Sequence, residues 1–245
     1  LCEDLWHDEQ FGGRRVYQAD PIAELVAGGA ELLVNLSASP FYVDKQDLRV
    51  RLFGCQIARH RVPLVYVNQV GGNDDLIFDG GSAVFAPDGS LLAQALAFEE
   101  DLLVVDLDNP EPRQIRPYPG TVAGVHDALV LGTRDYVNKC SFKAVVIGLS
   151  GGIDSALTAA IAVAALGPDR VHTVAMPSRF SSDHSLTDAA ELARNLGVDH
   201  RVIPIERVHR AMEDELAPHF VDRAPDVAEE NIQARVRGSI LMALS

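Results

Sequence analysis

Apolar runs of strand length recur along this chain, and the rhythm between them changes twice. "ELLVNLS" (31–37) and "PLVYVNQ" (63–69) are nearly continuous apolar runs bounded by turn residues, the pattern of buried strands. Between them, "DKQDLRVRLFGCQIARHR" repeats apolar residues at helical spacing, at Leu48, Leu52, Cys55 and Ile57 or Ala58. This predicts a helix with Cys55 in its core stripe. Asp20-Pro21 reads as an earlier helix start and Gly28-Gly29 as its stop. After Gln69 the texture shifts. "GGNDD", "DGG" and "PDG" punctuate the short strands "SAVFA", "LLAQA" and "LLVVDLD", which reads as a meander.

The stretch "DNPEPRQIRPYPG" (108–120) carries four prolines and little apolar pattern, the best domain boundary in the chain. It divides a first domain, 1–108, from a second, 122–245, with residues 109–121 as linker. A helix is expected around Val122 to Asn138. Strand and helix then alternate: "AVVIGLS", "IDSALTAAIAVAAL", "VHTVAMP", "DAAELARNLG", "HRVIPI", "RVHRAMEDEL". Such alternation predicts an α/β, Rossmann-like doubly wound parallel sheet with helices on both faces.

Composition narrows the function classes. The formal net charge of −14 over 245 residues repels nucleic acid. No apolar run reaches the roughly 18 residues of a membrane span, and no signal peptide is visible. Cys2, Cys55 and Cys140 are odd in number and widely spaced, without a CxxC pair. This argues for a reducing, cytoplasmic setting with neither a disulfide framework nor a zinc knuckle. Cys140, just before a strand, reads as structural.

The chemistry concentrates in "VVIGLSGGIDSAL" (145–157). A parallel strand that turns into a helix places free N–H groups and the positive helix end at the sheet edge, where an anion is favoured. Gly151 and Gly152 let backbone curl around it, and Ser150 and Ser155 add hydroxyl donors. No lysine follows, so this is not the Walker A loop. Asp154 beside a phosphate calls for a Mg²⁺ between them. The plain alternative is a glycine-rich turn with no ligand.

"GLSGGIDSA" resembles the SGGxDS loop of the N-type ATP pyrophosphatases, a group that includes NAD, GMP, asparagine and argininosuccinate synthetases. The resemblance implies that Gly148, Leu149, Ser150, Gly151, Gly152, Ile153, Asp154 and Ser155 bind ATP, gripping its pyrophosphate while AMP is transferred, with Mg²⁺ at Asp154. "MPSRFSSDHSLTDAAELARNLG" (176–197) and "EENIQARVRGSILMALS" (229–245) are similar to NAD synthetases in particular. GMP synthetase does not carry the "ENIQAR" stretch. The resemblance assigns Asn231 to the deamidated dinucleotide and the last helix to a dimer interface. That helix also reads as amphipathic, with Ile232, Val236, Ile240 and Leu241 buried.

Cys2 alone reads as a plain buried thiol. Yet "CEDLW", "NLSASPF" and the "FDGGS" turn together resemble the carbon–nitrogen hydrolase (nitrilase) superfamily. There a strand-end cysteine attacks an amide or nitrile carbon, a glutamate acts as base and a lysine holds the oxyanion. The two halves together resemble the glutamine-dependent NAD synthetases across essentially all 245 residues. This implies the C-terminal half of a nitrilase-like α-β-β-α sandwich, with Cys2 as glutaminase nucleophile and Ser39 and Lys45 holding L-glutamine. Lys45 stands where some members have arginine, and it gives up bidentate geometry. Its alternative is a solvated residue at a helix start. The family's catalytic glutamate and lysine lie upstream of the cysteine, and Glu3 does not replace them. The opening residues read as an inner strand, so the chain is expected to be the middle of a longer protein, inactive alone. The expected activity is ATP-dependent amidation of deamido-NAD(+) by a homo-oligomer, with ammonia passed from glutamine along a shielded route. The rivals are a related ligase that amidates another carboxylate and a catalytically dead scaffold.

Overall fold

Asp20 starts the first helix through its side chain, which accepts hydrogen bonds from the N–H groups of Ile22 and Ala23 at 3.0 and 3.1 Å. Pro21, with φ already near helical, opens this helix, α1 (Pro21–Ala27). The computed structural model describes residues 2–7, 17–109, 113–219 and 227–245, and of residues 2, 3, 183 and 227–230 the backbone alone. They divide into two compact units, Leu1–Tyr136 and Val137–Ser245.

In the first unit, β1 (Leu33–Ser37) and β2 (Leu64–Asn68) pair in parallel, joined by α2 (Lys45–His60). The meander follows: β3 (Val70–Asn73) and β4 (Leu76–Asp79) form a hairpin, and β5 (Ala83–Phe85) and β6 (Leu91–Gln94) an antiparallel pair. A further strand, β7 (Gln114–Ile115), lies within the proline-rich stretch and runs parallel to β6. The five-stranded order is β1-β2-β5-β6-β7. Leu52, Phe53 and Ile57 of α2 pack on Leu64, Tyr66 and Phe85 of the sheet. The Phe53 ring stands 5.0 Å from Tyr66, 5.8 Å from Trp6 and 6.3 Å from Phe85 between centroids. Burial of each such side chain stabilises by roughly 1.5–3 kcal/mol.

Four expectations need correction. Cys55 is exposed, because the buried stripe of α2 runs through Arg49, Leu52, Phe53, Gln56 and Ile57. Polar residues that bond inside the fold rotate the stripe away from the apolar count. Cys140, read as structural, is exposed as well. "LLVVDLD" forms no strand: Leu102 and Val104 are exposed, while Leu103 and Val105 pack on Val84, Leu92 and Ala93. The alternation there is real, but it covers a core without joining a ladder. The opening residues, read as an inner strand, form a 3-10 turn over Cys2–Trp6, with Leu5 buried beneath it.

In β1 the inward set is Leu33, Asn35 and Ser37, and Val34 and Leu36 stay exposed on the other face. Helix α3 (Thr121–Lys139) forms over the expected stretch. No described helix is long and apolar enough to cross a membrane.

The second unit is a parallel sheet of β8 (Val145–Gly148), β9 (Val171–Ala175) and β10 (Asp199–Val202), with β9 central. Its crossovers are α4 (Ile153–Leu166) and α5 (Asp183–Leu196). Ala159, Ala189 and Ala193 let these two helices lie close over Leu149. Ser182 caps α5, accepting from the Ser185 N–H at 3.2 Å, and Gly197 ends it at φ 70°. Then come α6 (Glu206–Leu216) and α7 (Val227–Leu244), which packs along β8. The fold class is as expected for both halves, with the α/β parallel sheet in the second.

Candidate functional site

Strand β8 ends at Gly148, but the ladder runs one residue further: Leu149 N–H donates to the Val174 carbonyl at 2.9 Å. Leu149 turns its side chain into the core, so it offers the loop backbone and an anchor. The loop then closes on itself. Ser155 Oγ donates to the Gly152 carbonyl at 2.9 Å and lies 3.0 Å from Ser150 Oγ, while the Gly152 N–H donates to Ser150 Oγ at 3.2 Å. Gly151 sits at φ 81°, and a Cβ there would collide with the Ser185 backbone, 2.7 Å from its Cα. The glycine therefore allows the α4 start to meet the α5 start.

The end of β8 and the start of α5 line one cavity of about 550 Å³, with Gly148, Ser150, Met176, Ser181, Ser185 and Arg237 in its wall, while Gly151 to Ser155 stand outside that lining. Arg237, on α7, donates from Nε to the Met176 carbonyl at 3.1 Å, and Gln233 accepts from Ser178 Oγ at 3.0 Å. One helix N-terminus, serine hydroxyls and one guanidinium on one space are groups of the kind that favour an anion. Asp154 is exposed in the first turn of α4, and Ile153 beside it is 80% exposed. Among the described residues no group of three or more His, Cys, Asp or Glu gathers to hold a metal ion. Asn231 is exposed and does not line the cavity, which meets α7 at Ala234, Arg237, Gly238 and Leu241. Val236 is buried as expected, while Ile232, Ile240 and Leu241 are half-buried.

In the first unit, Lys45 is buried at 7% exposure, which removes the solvated alternative. Its ammonium donates to the Pro40 carbonyl at 2.6 Å and stands 4.8 Å from the Tyr42 ring and 5.4 Å from Trp6. Trp6 belongs to the turn that begins at Cys2, so Lys45 and that turn share one neighbourhood. The Cys2 side chain lies outside the described residues. Lys45 also lines a cavity of about 260 Å³ between residues 41–47 and 118–124.

Ser39, 2% exposed, is held at both backbone ends: its N–H donates to Asn68 Oδ1 at 2.9 Å and its carbonyl accepts from Arg49 Nη2 at 2.9 Å. Arg49 Nη2 also donates to Ser39 Oγ at 3.2 Å. Arg49 in turn clasps Asp79 at 2.6 and 2.9 Å, and Tyr118 donates its hydroxyl to Asp79 at 2.6 Å. Both charged side chains are almost fully out of solvent. Burial and the Asp79 charge push the Tyr118 hydroxyl well above the usual tyrosine range, so it stays protonated and donates.

Two family models match the chain: carbon-nitrogen hydrolase over residues 16–117 and NAD synthase over residues 125–245. A glutamine-dependent NAD(+) synthetase of Synechocystis sp. is 47% identical over 250 residues, spanning all of this chain and 45% of that protein. The Rhodobacter capsulatus enzyme of that name is 46% identical over all of this chain and 44% of its own length. The chain is similar over its whole length to the glutamine-dependent NAD(+) synthetase family. A solved synthetase of this family from Acinetobacter baumannii, in complex with ADP, superposes with a TM-score of 0.90 at 40% identity, over all of this chain and 45% of that one. The chain thus spans a little under half the length of the synthetases it matches.

The family motif marks the Ser150–Ser155 loop; Gln233 and Arg237 lie within the similar 229–245 stretch and Asp79 within the FDGGS turn without being singled out there, and Arg49 and Tyr118 carried no motif. Arg49 had one available signal: a charged residue one turn before Leu52 and Phe53, on the same stripe.

Proposed function

We propose that the protein hydrolyses L-glutamine and uses the ammonia to amidate deamido-NAD(+) to NAD(+) at the expense of ATP. The observation that supports this reading is the self-bonded Ser150–Ser155 loop, which enters at Ser150 the wall of a cavity lined also by the α5 start and Arg237. Such a cradle suits the pyrophosphate that leaves when a substrate carboxylate oxygen attacks the α-phosphorus of ATP. The carboxylate becomes an acyl adenylate. Ammonia adds to its carbon, a proton is lost and AMP departs. Adenylation is needed because a free carboxylate is a poor electrophile.

In the first unit, Cys2 attacks the side-chain amide carbon of glutamine, giving a thioester and ammonia, and water releases glutamate. Lys45 pairs with the α-carboxylate of glutamine and Ser39 shapes the wall beside it. Asn231 contacts the dinucleotide. A Mg²⁺ suits one carboxylate plus phosphate oxygens; Asp154 would supply that carboxylate, and the ion would neutralise phosphate charge. The working form is a cytoplasmic homo-oligomer, without nucleic acid or membrane, in which ammonia moves between sites shielded from water.

The test is NAD(+) formation by the full-length protein from deamido-NAD(+) and ATP-Mg²⁺, fed with glutamine or with ammonium. Both should work, and Cys2→Ala should lose glutamine alone. Absence of NAD(+) from ammonium sinks the synthetase reading; an unaffected Cys2→Ala sinks the glutaminase reading.

A further inference from the structure

We propose that Tyr118, acting through Asp79 and Arg49, is a positioning residue for glutamine, so that the stretch joining the two family domains forms part of the glutaminase site. The inference rests on the reading above, in which Ser39 and Lys45 hold glutamine. Ser39 and Lys45 bracket a short segment between β1 and α2 that is tied to β4 by one isolated bridge, Pro40 to Phe78, with the Phe41 N–H donating to the Ile77 carbonyl at 2.7 Å. At the Ser39 end its shape is fixed by side chains from elsewhere. Asn68 holds the Ser39 N–H, and Arg49 holds the Ser39 carbonyl and hydroxyl.

Arg49 can do this only while its own orientation is set. Asp79, at the end of β4, takes both of its terminal nitrogens, and Asn68 Nδ2 donates to the same carboxylate at 3.3 Å. The remaining direction at Asp79 Oδ2 is filled by Tyr118, from beyond the β7 strand. Thr121 Oγ1, three residues further, donates to Asp44 at 3.0 Å, next to Lys45. Residues 118–121 therefore press on both ends of the segment: Tyr118 on the Ser39 end through two buried charges, and Thr121 on the Lys45 end directly. The cavity beside Lys45 has this same stretch as its far wall. A bond to a buried charge is worth more than a surface contact, and a binding wall displaced by a fraction of an ångström loses affinity before it loses fold.

The experiment uses the full-length protein and Tyr118→Phe, which removes one hydroxyl and keeps the ring packed on Phe98. NAD(+) formation is followed against glutamine and, separately, against ammonium. The KM for glutamine should rise about five- to tenfold with kcat within about twofold, while the ammonium-fed rate stays near wild type and the melting temperature falls by only a few degrees, well short of unfolding at the assay temperature. Arg49→Lys keeps the charge but gives up the fork that holds Ser39, and should raise the KM for glutamine further. A wild-type glutamine KM in Tyr118→Phe overturns the inference. So does a parallel fall of both nitrogen sources, which would make the contact merely structural. Lys45→Met separates the two readings. If it too leaves the KM for glutamine unchanged, the assignment of glutamine to this segment fails, and the inference with it. If it raises the KM while Tyr118→Phe does not, the inference alone fails.

Discussion

Gly151 lies against the backbone of Ser185, so closely that the loop opening α4 and the first turn of α5 leave no room for a methyl group between them. Gly151→Ala must therefore part the two helix starts, and it also places a Cβ at φ 81°. Backbone strain of this kind costs on the order of 1–3 kcal/mol. The cavity geometry suffers more than the fold. Synthesis of NAD(+) should fall at least about a hundredfold with glutamine and ammonium alike, since a shift of an ångström in a reacting group has that scale of effect. Glutamate release, measured by itself, should persist. Near-normal synthesis in Gly151→Ala would show that this contact does not shape the site.

The Arg49–Asp79 pair makes a stability prediction. Removing one partner leaves the other charge buried and unpaired, at a cost of about 3–5 kcal/mol. Arg49→Leu and Asp79→Leu should each lower the urea midpoint strongly. The double variant should lie well above the sum of the two losses. Additive losses would contradict strong coupling across the 2.6 Å contact.

Arg179 anchors the serine-rich turn to α6, pairing with Glu206 at 3.0 Å and Glu213 at 2.7 Å. Hydrogen bonds from Arg179 hold both carboxyl groups below the usual glutamate range. Arg210 adds positive charge beside Glu206, and the two carboxylates oppose each other. A carboxyl with a lowered folded pKa contributes stability above its unfolded value, about 4.3, and loses it as pH falls through the folded value. Arg179→Met should thus be less stable than wild type at pH 7, with the gap closing as pH drops below about 4. The groups are exposed enough for salt to shrink the gap, and the effect is small. A gap that widens in acid would reverse the assignment.

Cys55 and Cys140 are both exposed, so a thiol reagent should modify both in the native protein within minutes, without prior unfolding. Protection of Cys55 until denaturation would return it to the core stripe first expected.

The elements with strong periodicity were legible: α3, α4, the β8–β9 ladder and the strands β5 and β6 stand where the pattern of residues put them. The turn from β8 into α4 was legible because it is local; strand, glycines and serines are contiguous. What stayed hidden depends on distance along the chain. Asp79 is 30 residues from Arg49 and 39 from Tyr118, and no window joins them. Arg237 reaches Met176 across 61 residues. The phase of α2 was misread because a buried arginine and glutamines count as polar, although each bonds inside the fold: Arg49 to Asp79, Gln46 to Gln94, and Gln56 to the His7 carbonyl.

The buried Arg49–Asp79 clasp also constrains descent. Either residue changed alone leaves a stranded charge, and either change passes through a poorly folding ancestor. An apolar pair would pack as well, yet it lies two substitutions away across that gap. Lineages should therefore keep both residues or replace both, and a lone replacement should come with a new partner for the remaining charge.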